Sequence, residues 1–460
     1  MSGVDLRALP THQEAADYAD AQMRQVAASG VMPADAPTLQ AGGELWQRAY
    51  REATVRVEQA ADAEAAEALS LASQGVVDPE TLWTCGRPEV EHIYAMARRF
   101  KLSPWALLGG TLGRAAACIP WHVPFRSFLG SRPVNLIIAV SGSTGSGKTA
   151  TESAVGEIFD FGRDLGFAHE VGSGEAIPAI FGSVATKSDK ELSISKGDLV
   201  WHSEDHLGRV IFDEIGRLNA VQSRQGATVI EYLKSAESGA VLGRKLASGE
   251  GVEIPPGQYR LIATLNVQPE RAHLITSADE AAGGLPGRML WVDAGYAPFV
   301  GLKRDRRYPE RHRIPRTEWT SVFSIEALGV MEEAFEAQQD AALAGTLDPM
   351  DSHAALLQAK VACCLMVLAG RTELIEEDWS LAGLVMEHSR RTRRRALRAI
   401  AQAEQKSAGA GDALIEASVI EQMRKKRSQG MTMGAARREL RSDRRTVWDG
   451  LVASGGATVW

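Results

Sequence analysis

The sequence predicts an α/β protein with a central parallel sheet, helical regions on either side of it in the chain, and a small helical domain at the end. Three observations predict it. Residues 134–141, VNLIIAVS, form an unbroken apolar run that opens into a glycine-rich loop. Strand-like and helix-like segments then alternate to about residue 295. Finally, 412–460 shows three short helical patterns with many arginines.

Taken in order, residues 1–85 are rich in Ala, Gln and Glu and poor in large apolar residues, which predicts a helical N-terminal region facing solvent. A helical collar is expected over 86–133, where PEVEHIYAMARRF and SPWALLGGTLGRAAACI read as amphipathic or buried helices. Ser103 and Pro104 would be the N-cap and first position of the second. The core is expected over 134–300, its first strand apolar throughout because a parallel strand is buried on both faces. A charged loop, KRDRRYPERHRIPRTEW, separates it from a helical region at 320–402. AEQKSAGAGD, 403–412, reads as a short linker to the last domain.

The loop after the first strand is Gly142-Ser143-Thr144-Gly145-Ser146-Gly147-Lys148-Thr149, a full GxxxxGKT, and Ala150 follows in a helix-compatible stretch. Glycines let the backbone turn its N–H groups around phosphates at the positive end of the next helix. Lys148 would pair with the β- and γ-phosphates, and the Thr149 hydroxyl would ligate Mg²⁺. The expected fold is therefore a P-loop NTPase core that takes ATP and Mg²⁺. Arg209-Val-Ile-Phe212-Asp213-Glu214 reads as a strand ending in two acids. Asp213 would hold Mg²⁺ through its water shell, and Glu214 would orient and deprotonate the attacking water. A third strand, from Tyr259 to Leu265, ends in Asn266-Val-Gln268-Pro269. An amide between the two catalytic strands can sense the γ-phosphate, and Asn266 and Gln268 share a parity, so either fits; both could instead open a turn before Pro269. Arg288, in GGLPGRMLWV, is placed like an arginine finger acting across a subunit interface, the alternative being a surface Arg with local ion pairs.

These segments carry a resemblance. VSGSTGSGKT, GSGEAIPAIFG, FDEIG, NVQPERAHLI and GGLPGRMLWV, in this order over roughly 88–300, resemble a family of P-loop replication ATPases of actinobacterial phages and integrative elements, which accompany or are fused to primase modules. The resemblance implies Gln268 as the sensor and Arg288 as the finger. No primase motif precedes the first core strand here, so a primase or initiator would be a separate partner. The stretch from His353 to Met386 is similar to the helical lid of AAA+ helicases, which implies that Lys360 reaches back to the γ-phosphate. The alternative is a solvated helix lysine.

Charge points to a polyanion at one end. The net charge is −7, yet 390–460 holds 16 Lys or Arg against 7 Asp or Glu, a net of +9 that leaves −16 for the rest. Within Ser389–Arg398 the arginines, Arg394 among them, outnumber nearby acids, which favours DNA over a merely solvated face. The segment 412–460 reads as a winged helix whose third helix, opening at Ser442, would set Arg444, Arg445 and Thr446 against DNA, with ATVW as a wing strand. A protein-interaction module of the same fold is the other reading. Arg244 and Lys245 would sit on a hairpin ahead of the Tyr259 strand, either an ordinary surface hairpin or the pore hairpin of a ring.

Composition excludes other classes. At 45% hydrophobic and 24% charged residues the chain is globular in character. No apolar run approaches the roughly 18 residues of a membrane span, and the N-terminus does not read as a signal peptide. Four cysteines without metal-ligand spacing read as free thiols, hence a cytoplasmic protein. A nucleoside kinase would not carry this DE strand with a basic winged helix, and a packaging motor would need a nuclease acid cluster. The leading expectation is an ATP-driven motor or initiator on DNA, a ring-forming and hexameric helicase. Alternatives are an ATP-dependent loader of replication proteins, or a DNA-binding regulator with an ATPase switch.

Overall fold

The computed structural model describes residues 78–189, 193–213, 229–244, 251–277, 280, 283–296, 298–299, 310–315 and 317–453, with the side chains of 404–414, 417, 443 and 453 excepted. Two of its helices precede the sheet: α1 (Pro88–Phe100) and α2 (Pro104–Cys118). The sheet strands are β1 (Leu136–Ser141), β2 (His169–Glu170), β3 (Leu207–Phe212), β4 (Arg260–Val267) and β5 (Met289–Asp293). Helix α3 (Lys148–Ile158) follows β1, and α4 (Val229–Ser238) precedes β4. After the sheet come α5 (Gly329–Leu343), α6 (Ala354–Leu368), α7 (Glu376–Ser428), α8 (Met433–Arg438) and α9 (Ser442–Ala453). The helical N-terminal region expected within 1–77 lies outside the described residues.

All five sheet strands run parallel, in the order β5-β1-β4-β3-β2. Every residue of β1 is buried, as expected of a strand covered on both faces. One cover is α2. Ser103 caps it by accepting from the Ala106 amide and Pro104 takes its first position, so the local signal read in the sequence is the one used. Gly113 lets the helix sit close: a Cβ there would meet Ile138 Cδ1 at 2.9 Å and Ile262 Cγ2 at 3.1 Å.

Helix α6 packs beside α2, and the stretch 349–368 that contains it is apolar and long enough to pass for a membrane span. Two thirds of that stretch is buried inside the protein, which makes it a core helix. Cys118, Cys363 and Cys364 are buried free thiols, and burial pushes Cys118 and Cys364 up to about 12. The collar and α7 are pinned together by Arg87, which donates to Leu365 O at 2.9 Å and to Asp378 Oδ1 at 3.1 Å.

The linker expected at 403–412 is not there. Helix α7 runs unbroken for 53 residues, about 80 Å at 1.5 Å per residue. Gly409 and Gly411 each cost only about 1 kcal/mol in a helix, and Ala, Gln, Glu and Lys around them favour it. The end of α7 joins α8 and α9 around a small core of Val419, Met423, Ala436, Leu440 and Trp448. Helical segments fall where three helices were expected, the first of them as the end of α7, and the expected ATVW strand lies outside the described residues.

His388, on α7, stacks on Trp105 with ring centroids 3.8 Å apart, and its Nε2 accepts from the Asp293 amide. Burial holds its pKa well below the usual 6.5, aided by Arg395 and Arg391. The unfolded chain therefore binds a proton below about pH 6.5 that the native chain does not. Stability is full above that pH and falls as pH drops below it, by up to about 1.4 kcal/mol per unit for this group. Urea unfolding of the parent and His388→Gln between pH 5 and 7 should show a smaller slope in the variant; equal slopes would mean His388 is already protonated in the fold.

Candidate functional site

The carboxyl ends of β1, β3 and β4 converge, and the residues after each strand meet there. The 142–149 loop leaves β1 and is tied down at once: the Gly142 amide donates to Val267 O at 2.9 Å, at the end of β4. On its other side the Ala294 amide donates to Ser141 O at 2.6 Å, linking the loop to the end of β5. Gly142 has no room for a side chain, since a Cβ would collide with Ser146 Oγ and come within 3.1 Å of Ala294 Cβ. Gly147, the N-cap of α3, has φ +86°, and a Cβ there would meet Leu102 Cδ2 at 2.7 Å. Both the left-handed backbone and the close neighbour demand glycine.

Lys148 folds over the loop, its Nζ donating to Gly142 O at 2.6 Å and Ser143 O at 2.7 Å. Ser143, Thr144 and Gly145 are exposed at the rim, and so is Ala150 in the first turn of α3. Among the described residues Ser146 Oγ is buried with no hydrogen-bond partner. A hydroxyl in that position, beside an ammonium and a helix N-terminus, suits a phosphate oxygen.

Asp213 joins the strands chemically. Its Oδ1 accepts from Thr149 Oγ1 at 3.2 Å and from Asn266 Nδ2 at 3.2 Å. β4 lies between β1 and β3, so the amide-bearing strand does stand between the other two. The two amides have different positions. Asn266 is 2% exposed and turned onto Asp213, whereas Gln268 reaches outward to Thr144 Oγ1 at 3.4 Å. Glu214 lies outside the described residues.

The donor set fits a hard divalent cation. Thr149 Oγ1 and Asp213 Oδ1 are oxygen atoms 3.2 Å apart, and Mg²⁺ is commonly held by one or two such groups with waters and substrate phosphates completing its shell. No cluster of three or more His, Cys, Asp or Glu exists among the described residues.

Two supporting groups were not singled out from sequence. Glu152, in α3, takes Arg209 Nη2 at 2.6 Å and Arg114 Nη2 at 3.0 Å, fixing α3 against β3 and α2. Its partners are 38 and 57 residues away, so no local pattern announces it. Asp293 ends β5 and receives Arg395 Nη1 at 2.9 Å. Burial raises its pKa, against the lowering by Arg395. An acid closing an apolar strand, as in the Asp213 strand, was a visible signal.

Other expected residues are elsewhere. Lys360 does not reach the loop and is not a solvated lysine. It is fully buried, donating to Glu237 O at 2.9 Å and also to Glu237 Oε1. Glu237 ends α4, near the starts of β1 and β4. Arg288 immediately precedes β5, whose Met289 is level with Ile137 near the start of β1. It donates to Gly283 O at 2.7 Å and stands 3.5 Å from Glu237. A strand length, about 16 Å, therefore separates this cluster from its own 142–149 loop.

Among the described residues the arginine run finds one acid on its own helix and two on other elements, five cations sharing three carboxylates. Arg390, Arg391 and Arg394 converge on Glu387, Arg393 takes Asp351, and Arg395 takes Asp293. Arg445 turns inward, donating to Arg438 O at 3.0 Å and Leu440 O at 2.9 Å. Arg444, by contrast, lines an open cleft. The expected hairpin is present as antiparallel Leu242–Gly243 and Glu253–Ile254 with Arg244 exposed beside it, while Lys245 lies outside the described residues.

No model of a known protein family matches the chain, and no characterised protein was found to match it. The geometry is what bears on function.

Proposed function

We propose that the chain is a P-loop ATPase that acts on DNA as a motor or initiator, cytoplasmic and working as a ring of identical subunits. One observation carries the reading: Thr149, Asp213 and Asn266 meet by direct hydrogen bonds beside the Lys148 loop, at the ends of three adjacent parallel strands. Ligands of open α/β sheets bind at this end.

In this reading the 142–150 backbone and Lys148 bind the triphosphate, and Thr149 and Asp213 hold Mg²⁺. The ion would neutralise charge developing on the β- and γ-phosphates. Asn266 keeps Asp213 oriented while Gln268, nearer the loop rim, senses the γ-phosphate. Glu214 takes the proton of the attacking water. Arg288 is too far from its own loop to act in cis, so any role on ATP would be on a neighbouring subunit's site, after leaving Glu237. The helices around Trp448 supply DNA contacts, and the helices at 320–402 act as a lid.

The motor reading is tested by phosphate release with and without single-stranded DNA, alongside unwinding of a forked duplex. DNA should stimulate turnover several-fold and strand separation should require ATP. Hydrolysis indifferent to DNA, with no unwinding, would leave the loader reading in its place.

A further inference from the structure

We propose that the cleft between the end of α7 and the start of α9 seats a backbone phosphate of duplex DNA, making Arg444 a phosphate ligand and not a base reader. The inference rests on the DNA-binding reading above and names the group of DNA that this part of the chain would hold. The cleft has a volume of about 630 Å³. Gln422, Lys425, Lys426 and Gln429 form one wall, and Arg441 and Arg444 form the other. Lys426 is ion-paired with Glu439, the one acid in the lining. Among the described residues no carboxylate pairs with Lys425, Arg441 or Arg444. Three cations with no carboxylate partner among the described residues face one cavity and repel each other, and an anion in the cavity reverses the sign of that interaction.

The anion's geometry is specified further by what surrounds the cations. Arg441 and Arg444 flank the first turn of a 12-residue helix, whose amides favour an anion on the same side. The amides of Gln422 and Gln429 add neutral donors, a mixture that suits phosphate oxygens on a duplex backbone. Arg445 fixes the arrangement from below. Its guanidinium holds the carbonyls of Arg438 and Leu440 and so sets the α8–α9 turn. The exposed residues of α9 include Ser442, Thr446, Asp449 and Gly450, so no Lys or Arg is added to the cleft from that side of the helix.

The test uses the full chain and a fluorescent duplex, with affinity measured over a series of salt concentrations. Each phosphate contact contributes about −0.9 to the slope of log affinity against log salt. Lys425→Ala with Arg441→Ala and Arg444→Ala should flatten the slope by roughly one contact, and weaken binding about tenfold or more equally on unrelated sequences. Arg445→Ala should instead lower the thermal midpoint of the α8–α9 unit, a readout that a direct DNA ligand would not move. An unchanged slope in the folded triple variant overturns the inference while leaving DNA binding standing, and so does a loss confined to one sequence. If the unaltered chain does not bind duplex at all, the DNA reading itself is what fails.

Discussion

Replacing Asp213 with Asn should lower ATP turnover by about 10²-fold or more without unfolding the protein. The substitution keeps the shape of the side chain but removes its charge. In the fold, Oδ1 accepts from both Thr149 and Asn266, and an amide oxygen in its place can accept from the same two donors, so the local structure is kept and the charge is what is lost. The amide presents a neutral group to the cation, where a carboxylate is the natural partner of Mg²⁺. Asp213 is exposed at the tip of β3, so little apolar packing is disturbed and the thermal midpoint should stay within a degree or two. Glu214→Gln is the companion: it loses the base alone, so ATP should remain bound while turnover falls by a similar factor. Parental turnover in Asp213→Asn would remove this carboxylate from the chemistry.

Lys360→Met should destabilise the fold by about 3 kcal/mol and leave turnover per folded molecule unchanged. Removing one member of a buried ion pair leaves the other charge without compensation, a cost of about 3–5 kcal/mol. Glu237 is 2% exposed, and Arg288 at 3.5 Å offers it partial relief, which places the loss at the lower end. Adding Glu237→Gln should recover much of the stability, because the uncompensated charge is then gone. Urea unfolding of the two single variants and the double variant measures this directly. A raised KM for ATP with unaltered stability would restore Lys360 to the nucleotide.

What could be read from sequence was what is local. The strand–loop–helix around Gly142–Thr149, the strand ending at Asp213 and the Ser103 cap each lie within a dozen residues, and the fold builds them as expected. The position of β4 between β1 and β3 was inferred from its terminal amides and is seen in the sheet order. What failed depends on distant partners. Lys360 is drawn to Glu237, 123 residues earlier, and buried there, because an ammonium and a carboxylate in an apolar interior need each other more than either needs solvent. Arg393 and Arg395 find Asp351 and Asp293, 42 and 102 residues away, partners off their own helix that no local pattern names. The two glycines at 409 and 411 suggested a break, but two glycines in a long run of good helix formers do not make one.

The most direct test of the central claim is phosphate release from ATP by the unaltered purified chain, with and without Mg²⁺, beside Lys148→Ala. The account predicts release that requires the ion, and a Lys148→Ala chain that neither binds ATP measurably nor turns it over, since the Lys148 ammonium lies on the 142–149 loop that would cradle the phosphates. Equal ATP binding and turnover by the two chains, or no Mg²⁺-dependent release by the unaltered one, would contradict it.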